Sequence, residues 1–178
     1  MMDTETRKTV RKWFWVWDFE REEVWLNAMA MQGWALVKVG FCSFTFERCE
    51  PGEYVVRCEF REVLNKQNAD YVAFIEELGV EYVGRAATMI YFRKKAEEGG
   101  FELFSDNASK RKHLNRMAAC VGAIMAMNLV IGIVNSTMIP GAAPFGWINV
   151  ALASVLAYGL GKIRANSERL EADSKLFE

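Results

Sequence analysis

The sequence predicts an α+β protein in which a domain with a small sheet precedes a hairpin of two membrane-spanning helices. The order strand, helix, strand, strand occurs twice, over about residues 8–48 and 53–95. Residues 117–161 then contain no charged side chain, although the flanking segments are rich in charge. We therefore expect two βαββ repeats in a domain over residues 1–98, forming one mostly antiparallel sheet of six strands with two helices on one face.

The first repeat opens on an aromatic segment, residues 13–17, in which every position is apolar. Its three tryptophans occupy every second position, which is the period of a strand with two apolar faces. Asp18 then begins a helix whose first turn is acidic, as the helix dipole favours, and Gly33 ends it. We expect the two remaining strands of this repeat at residues 34–39 and 42–48.

The second repeat follows the same order. Residues 53–61 alternate between apolar and polar side chains as a strand does, and a helix beginning near Asn68 has apolar residues on one side. Gly79 ends that helix by the same signal as in the first repeat. The strands at residues 81–84 and 88–94 complete the unit.

The uncharged segment has the length and the breaks of a membrane hairpin. A hydrocarbon core about 30 Å thick needs about 20 helical residues. Residues 117–139 meet that length, and residues 147–163 form a second, shorter apolar run after a turn rich in proline and glycine. A buried hairpin in a soluble core is the alternative, but neither run shows the polar stripe of a soluble helix. We expect a transmembrane hairpin over residues 117–163.

Basic residues flank both spans and are absent from the turn between them. This pattern places both termini in the cytoplasm, with residues 99–116 as a basic juxtamembrane linker or helix and residues 164–178 as a charged cytosolic tail. The first residues lack the apolar core of a secretory signal, so we expect the first domain to stay in the cytosol. The side chains expected at the membrane interface are Lys110, Arg111, Lys112, Arg116, Trp147 and Lys162.

Two polar residues fall near the middle of the spans, Asn128 in the first and Ser154 in the second. An amide in hydrocarbon needs a hydrogen-bond partner, so we expect an Asn128–Ser154 contact, or Asn128 pairing across a dimer. Small residues four positions apart would also permit close approach of the helices. These are Gly122 with Ala126, and Ala157 with Gly161.

The composition and motifs disfavour catalysis. The chain has 22 basic and 23 acidic residues, which gives no general bias toward nucleic acid. Its four cysteines form no CxxC pair, so we expect reduced thiols, with no metal and no cofactor. The single histidine, His113, is expected to face lipid or solvent. Glu20, Glu22 and Glu23 are expected only to favour the start of a helix.

A binding role rests on the aromatic segment and the neighbouring strand pattern. Trp13, Trp15 or Trp17 would stack on a small apolar or cationic molecule. Glu59 would hold the charge of a cation, or Arg57 would receive an anion. The alternative is that the tryptophans are core residues and that Arg57 and Glu59 form an exposed pair.

Four segments carry a resemblance to a known family: DFEREEVWLNAMAMQGW, FERCEPGEYVVRCEF, YFRK and LFSDNASK. The first contains a fairly specific pattern formed by Trp25, Leu26, Met29, Gly33 and Trp34. Over about residues 8–116 the chain resembles the bacterial domain-of-unknown-function family 2812. It departs from that family at Val80, where the second repeat usually has tryptophan, so we expect that side of the sheet to pack differently.

The resemblance implies a bacterial membrane-anchored protein, often encoded beside a PadR-type transcriptional regulator, and it supplies no established activity. We predict a sensing or regulatory binding module of the inner membrane, with multiple spans. The alternative is an interaction adaptor that forms a homodimer, or that docks a transcriptional regulator or a transporter. In both roles the lipid bilayer is a partner, and direct binding of nucleic acid is not expected.

Overall fold

The chain divides into two units, Met1–Leu103 and Phe104–Glu178. The structure, a computed structural model, describes residues 6–61, 68–103 and 107–175. The first unit contains two βαββ repeats and the second contains a two-helix hairpin. The predicted α+β class is therefore confirmed, as is the order of its elements.

The described part of the first unit contains six strands and two helices. The first repeat consists of β1 (Arg7–Arg11), α1 (Phe19–Met31), β2 (Trp34–Gly40) and β3 (Ser43–Arg48). The second consists of β4 (Tyr54–Phe60), α2 (Asn68–Glu77), β5 (Glu81–Ala86) and β6 (Met89–Lys95). Each helix is followed closely by a glycine in the left-handed region, Gly33 at φ 78° and Gly79 at φ 77°, as the sequence predicts.

The first strand lies earlier in the chain than its sequence pattern indicates. β1 pairs antiparallel with β3, and the ladder ends where Arg11 lies opposite Ser43. Beyond that point the aromatic segment has no strand partner in this sheet, and a 3₁₀ turn at Val16–Asp18 closes it. The prediction of a strand over residues 13–17 is wrong because apolar alternation alone does not supply backbone hydrogen bonds.

The strands form two antiparallel sheets of three rather than one sheet of six. Their orders are β1-β3-β2 and β4-β6-β5. β2 and β5 are neighbours, but no backbone ladder joins them among the described strands. Each of the two strands has an irregular register, between Leu36 and Lys38 in β2 and between Tyr82 and Gly84 in β5. Across this seam Arg93 Nη1 donates a 3.0 Å hydrogen bond to the Leu36 carbonyl oxygen.

The helices pack on opposite faces of the second sheet, in contrast to the single face that the sequence predicts. Ile90 and Tyr91 are adjacent in β6, so their side chains point to opposite faces. Tyr91 bonds to Glu22 of α1, whereas Ile90 packs in a cluster with Ile75 of α2. The reason is that α1 packs against β4, a strand of the other repeat.

Aromatic and aliphatic side chains from both repeats fill the core of the first unit. Its largest fully buried members are Phe46, Phe92, Leu26, Leu36 and Val56. On the α2 side of the second sheet, Val80 joins Ile75, Ile90 and Phe92 in one apolar cluster. Val80 is 5% exposed, so the chain buries a small side chain at this position of the second sheet.

The second unit is an antiparallel pair of long helices, α3 (Asn107–Thr137) and α4 (Ala143–Lys175). By length and composition both are able to cross a membrane, over Ala108–Thr137 and Ala143–Ala172. Only 17% of the most apolar window of each helix is buried. Large apolar side chains are exposed along them, among them Met127, Val130 and Ile148.

The helices approach most closely near the turn that joins them. A Cβ atom added to Gly132 would lie 2.8 Å from Val150 Cγ2 and 3.0 Å from the Gly146 carbonyl oxygen. At Gly122, by contrast, the nearest atom would be 3.8 Å away, and Gly161 has nothing within 4 Å. The small residues singled out in the sequence are therefore not those at the closest contact.

Asn128 and Ser154 bond to their own helices rather than to each other. Asn128 Nδ2 donates to the Ile124 carbonyl oxygen at 2.9 Å, and Ser154 Oγ donates to that of Val150 at 3.0 Å. A carbonyl four residues earlier on the same helix thus supplies the partner that each side chain needs. The predicted Asn128–Ser154 contact is wrong for the hairpin within one chain.

The charged end of the hairpin continues the helix pair. Arg111 forms a 3.0 Å ion pair with Glu171, and Ser167 Oγ lies 3.1 Å from Asn115 Oδ1. His113 is buried at 3% exposure, which corrects the expectation that it faces lipid or solvent.

The predicted tail is helical through Lys175, and residues 176–178 lie outside the described part. The predicted interface residues Lys110, Arg111, Lys112, Arg116 and Lys162 lie at this end, and Trp147 lies near the turn.

Candidate binding site

The exposed residues of the aromatic segment form a surface with the β2–β3 turn. We call Trp13, Trp15 and Phe41 the aromatic patch. The Trp13 ring contacts the edge of Trp15, with centroids 5.3 Å apart, and that of Phe41, at 6.0 Å. Their exposures are 54%, 39% and 80%, respectively, for Trp13, Trp15 and Phe41. Three large aromatic side chains that contact one another in water are a candidate binding surface.

Local backbone geometry holds this patch together. Lys12 N–H donates a 3.1 Å hydrogen bond to the Cys42 carbonyl oxygen, which fastens the chain after β1 to the β2–β3 turn. Cys42 has a φ of 51°, a left-handed conformation that is uncommon for a residue with a side chain. The turn thereby presents Phe41 beside Trp13.

Trp17 supports the patch from below. Its ring stacks on Trp15 with centroids 4.9 Å apart and an interplanar angle of 4°, and only 5% of Trp17 is exposed. A ligand on the patch would therefore meet Trp13 and Trp15, while Trp17 fixes the position of Trp15. Of the three predicted contact residues, two are accessible and one is core.

Phe14 points to different surroundings from its neighbours. It contacts Trp25 of α1, with ring centroids 5.6 Å apart, and Phe44 of β3, at 6.2 Å. The Lys12 ammonium lies 4.5 Å from the Trp25 ring centroid and 5.0 Å from that of Phe14, a cation–π arrangement. Residues 13–15 therefore point alternately outward, to the aromatic patch, and inward, where Phe14 packs against Trp25 and Phe44.

An open groove with a volume of about 490 Å³ adjoins the patch. Its two charged lining residues, Arg11 and Lys12, are both basic, and no carboxylate is among the described residues that line it. This charge suits an anion better than the cation considered from the sequence. The lining consists of Arg11, Lys12, Trp13, Phe41, Cys42 and Ser43.

Arg57 and Glu59 have structural partners rather than an open site between them. Arg57 makes two hydrogen bonds to the Glu102 carboxylate, at 2.7 and 3.3 Å. Glu59, 3% exposed, forms a 3.0 Å ion pair with Arg61 and accepts a 2.6 Å hydrogen bond from the Tyr71 hydroxyl. Burial, followed by the charge of Glu59, raises the pKa of Tyr71 and keeps its hydroxyl a donor. The structure does not bring this pair into the groove beside Trp13.

The acidic first turn of α1 does more than favour the start of a helix. Glu22 is 4% exposed and accepts a 2.6 Å hydrogen bond from the Tyr91 hydroxyl. Burial raises the pKa of Glu22, and the hydrogen bond from Tyr91 opposes that shift. Glu23 accepts a 2.8 Å bond from the Cys58 N–H. Asn27 of α1 also bonds to β4. Glu23 and Asn27 are four positions apart, which puts both on one side of the helix, and this spacing is the sequence signal for the role of Glu23.

The remaining candidate ligands for a metal are dispersed. Within the described residues, no three His, Cys, Asp or Glu side chains are grouped so that they could hold a metal ion. All four cysteines are free thiols. Cys58 is fully buried, and burial raises its pKa well above the ordinary range, which makes it an inert core residue.

Comparison with models of protein families identifies a family that covers most of the first unit and part of α3. The model of a family described as "Protein of unknown function (DUF2812)" matches residues 18–126, more than half of the chain. The match runs from the start of α1 into α3, and it leaves Trp13 and Trp15 outside its bounds. No curated protein and no solved structure matches the chain.

Proposed function

We propose, from the premise that the chain belongs to the DUF2812 family, that it is a membrane-anchored binding module that serves sensing or regulation rather than catalysis. The observation that carries the proposal is the exposed apolar surface of α3 and α4. An isolated helix pair of this composition would aggregate in water, because it presents contiguous apolar surface with little of it buried. Lipid is the solvent that such a surface fits.

Charge at the open end of the hairpin supports an orientation with both termini in the cytoplasm. The basic residues of α3 precede its apolar part, and those of α4 follow it, so all of them lie at one end of the antiparallel pair. Bacterial inner-membrane proteins keep such residues on the cytoplasmic side. The α+β unit, which precedes α3, would then also be cytoplasmic.

Binding is assigned to the aromatic patch. Trp13, Trp15 and Phe41 offer rigid apolar area, and Arg11 and Lys12 supply positive charge beside it. An amphipathic partner with an apolar part and an anionic part matches both features. This revises the cationic ligand considered from the sequence.

Non-catalytic action is supported by the use that the fold makes of its buried acids. Glu22 and Glu59 are buried and Glu23 is partly buried, and each is engaged by a tyrosine hydroxyl or a backbone N–H. Such contacts hold α1 to β4 and β6, and α2 to β4. None of the three carboxylates lines either of the two surface grooves described on this unit.

An interaction adaptor is the second candidate, and one observation favours it. Among the described strands β1 pairs only with β3, so its other edge is open to a strand from a partner. Arg7, Lys8 and Arg11 make this edge strongly basic, which opposes pairing with the same strand of a second copy. A partner strand with acidic side chains fits better than a homodimer at this edge.

Fractionation tests the anchor. The full-length protein should stay in the membrane pellet after an alkaline carbonate wash and should dissolve only with detergent. A reporter fused to the C-terminus should show cytoplasmic location. Recovery of the protein in the supernatant of a high-speed spin without detergent would overturn the proposal.

Tryptophan fluorescence tests the binding role. Titration of the detergent-solubilised protein with an anionic amphiphile should change the emission, and Trp13→Leu should reduce that change. Trp34→Leu is the matched control, because Trp34 is buried and lies outside the groove. If no amphiphile alters the emission while an acidic peptide strand binds, the interaction adaptor replaces the binding of an amphiphile as the proposed function.

A further inference from the structure

We propose that the aromatic patch docks on the anionic headgroups of the membrane that anchors the chain. The inference rests on the proposed anchor and names the partner of the proposed binding surface. The lipid surface is thus both the anchor's solvent and a ligand of the α+β unit. Contact at a second place would hold the unit against the bilayer.

The side chains of the patch are the kind that favour a membrane interface. Tryptophan combines a large apolar ring with one N–H donor, which suits the boundary between acyl chains and headgroups. Phe41 is 80% exposed at the tip of a two-residue turn, where an apolar ring has no packing role in the unit. Trp17, stacked beneath Trp15, makes the surface rigid before it binds.

Positive charge accompanies these rings on the same surface. Arg11 and Lys12 line the groove with Trp13 and Phe41, and the Lys12 ammonium also lies 4.5 Å from the Trp25 ring centroid. The acidic residues nearest along the chain are Asp18, five positions after Trp13, and Glu47, four positions after Ser43. Neither lines the groove, and Glu47 forms an ion pair with Arg7. Basic side chains beside exposed aromatic rings are the combination that anionic lipid surfaces attract.

The tether makes weak contact sufficient. Leu103 and Met117 are 14 positions apart, so even a fully extended chain between them reaches at most about 50 Å. A unit tethered by so short a stretch of chain meets headgroups at a high effective concentration, and docking needs little affinity of its own. The groove is also open to solvent, and binding sites for small molecules are usually enclosed.

Cys42 provides a reporter without any substitution. It lines the groove between Phe41 and Ser43 and is partly exposed, whereas Cys49 follows the opposite end of β3 and is also partly exposed. The full-length protein would be placed in nanodiscs of phosphatidylcholine alone, or of phosphatidylcholine with phosphatidylglycerol. Alkylation of both thiols by a water-soluble maleimide would be followed by peptide mass spectrometry.

We expect anionic nanodiscs to slow the alkylation of Cys42 at least about five-fold, the factor that one basic side chain near an anionic surface typically supplies. Cys49 should react equally in both lipids. High salt should restore the Cys42 rate, because it screens the attraction. Equal Cys42 rates in the two lipids would overturn the docking proposal but leave the anchor intact, since the protein would still be in the nanodisc.

Two pairs of variants sharpen the test. Arg11→Glu should abolish the protection, and Lys38→Glu, an equal charge change at an exposed position of β2, should preserve it. Phe41→Asn should weaken the protection without any change of charge, and Phe74→Asn, at an exposed phenylalanine of α2, should not. Slowing in both lipids alike, lost on dilution of the nanodisc-bound protein with empty discs, would show that a second copy covers the patch and would overturn the proposal.

Discussion

The side-chain amide of Asn27 in α1 closes the outer edge of β4 by bonding twice to Val56. Its Nδ2 donates to the Val56 carbonyl oxygen at 3.0 Å, and its Oδ1 accepts from the Val56 N–H at 2.9 Å. The amide thus takes the place of a neighbouring strand. Together with the bond from Cys58 N–H to Glu23, this contact protects an edge that would otherwise be free to pair with another chain.

Loss of that contact should destabilise the first unit. Asn27→Leu keeps the approximate size of the side chain but leaves the Val56 N–H unpaired and its carbonyl oxygen bonded only to Arg57 Nη1, at 3.1 Å. The free energy of unfolding should fall by about 1 kcal/mol or more, even though leucine favours a helix more than asparagine does. Denaturant unfolding of the detergent-solubilised chain, followed by tryptophan fluorescence, would measure it. Five of the six tryptophans precede residue 40 and report on this unit. Glu20→Leu, at an exposed position of the same helix, should change stability by no more than about 0.5 kcal/mol.

Glu22 should make stability depend on pH in a defined direction. Burial raises its pKa above the ordinary 4.5, so the folded state binds this proton more tightly than the unfolded state does. The contribution of Glu22 is complete below pH 4.5 and is lost as the pH rises through the raised pKa. Glu22→Gln keeps an acceptor for Tyr91 and should gain stability relative to the unmodified chain as the pH rises from 4.5.

Urea unfolding at several pH values would test this expectation for Glu22. Glu20→Gln is the matched control, because Glu20 lies in the same helical turn and is exposed. A stability difference between Glu22→Gln and the unmodified chain that stays constant with pH would contradict the assignment.

The contact between the two apolar helices should depend on Gly132. In Gly132→Ala the new methyl group would lie 2.8 Å from Val150 Cγ2, so the helices must separate near the turn. The melting temperature of the hairpin in detergent, followed by far-ultraviolet circular dichroism, should decrease. Gly161→Ala adds the same methyl group where nothing lies within 4 Å and should leave the melting temperature equal or higher. Equal effects of the two substitutions would refute the close contact.

Asn128 should not contribute to pairing within the hairpin. Because its amide bonds to the Ile124 carbonyl oxygen of its own helix, Asn128→Leu should leave the melting temperature of the hairpin unchanged. Ser154→Ala should behave in the same way, since Ser154 bonds to Val150. If Asn128 pairs across a dimer, only Asn128→Leu should lower the dimer fraction in a cross-linking assay in lipid.

The parts of the fold that follow from local signals were predictable. Gly33 and Gly79 ended the two helices of the first unit as their sequence positions indicated, because glycine adopts positive φ without a steric penalty. The apolar hairpin was equally predictable, since the length of each apolar run and its lack of charge can be read without information from distant residues. The order of the elements in the two repeats was predictable from the same local signals, the glycines that end the helices.

The predictions that were wrong concern features that depend on residues distant in the sequence. The strand at β1 has the sequence RKTVR, which carries little strand signal, and it forms because β3 offers it a partner. The burial of Glu22 depends on Tyr91, 69 positions away, which no local pattern reveals. From the strand pattern, Arg57 and Glu59 are expected either to hold the charge of a ligand or to form an exposed pair, but Glu102 and Tyr71 engage them instead.

No backbone ladder joins the two sheets among the described strands, so side chains hold the two repeats of the first unit together. β2 and β5 meet through side chains, with Val39 Cγ2 at 3.1 Å from where a Cβ of Gly84 would lie, and through the hydrogen bond from Arg93 to Leu36. Helix α1 adds hydrogen bonds from one repeat to the other, between Glu22 and Tyr91, Glu23 and Cys58, and Asn27 and Val56. A single substitution among these side chains would therefore loosen the attachment of one repeat to the other while every strand ladder stays intact.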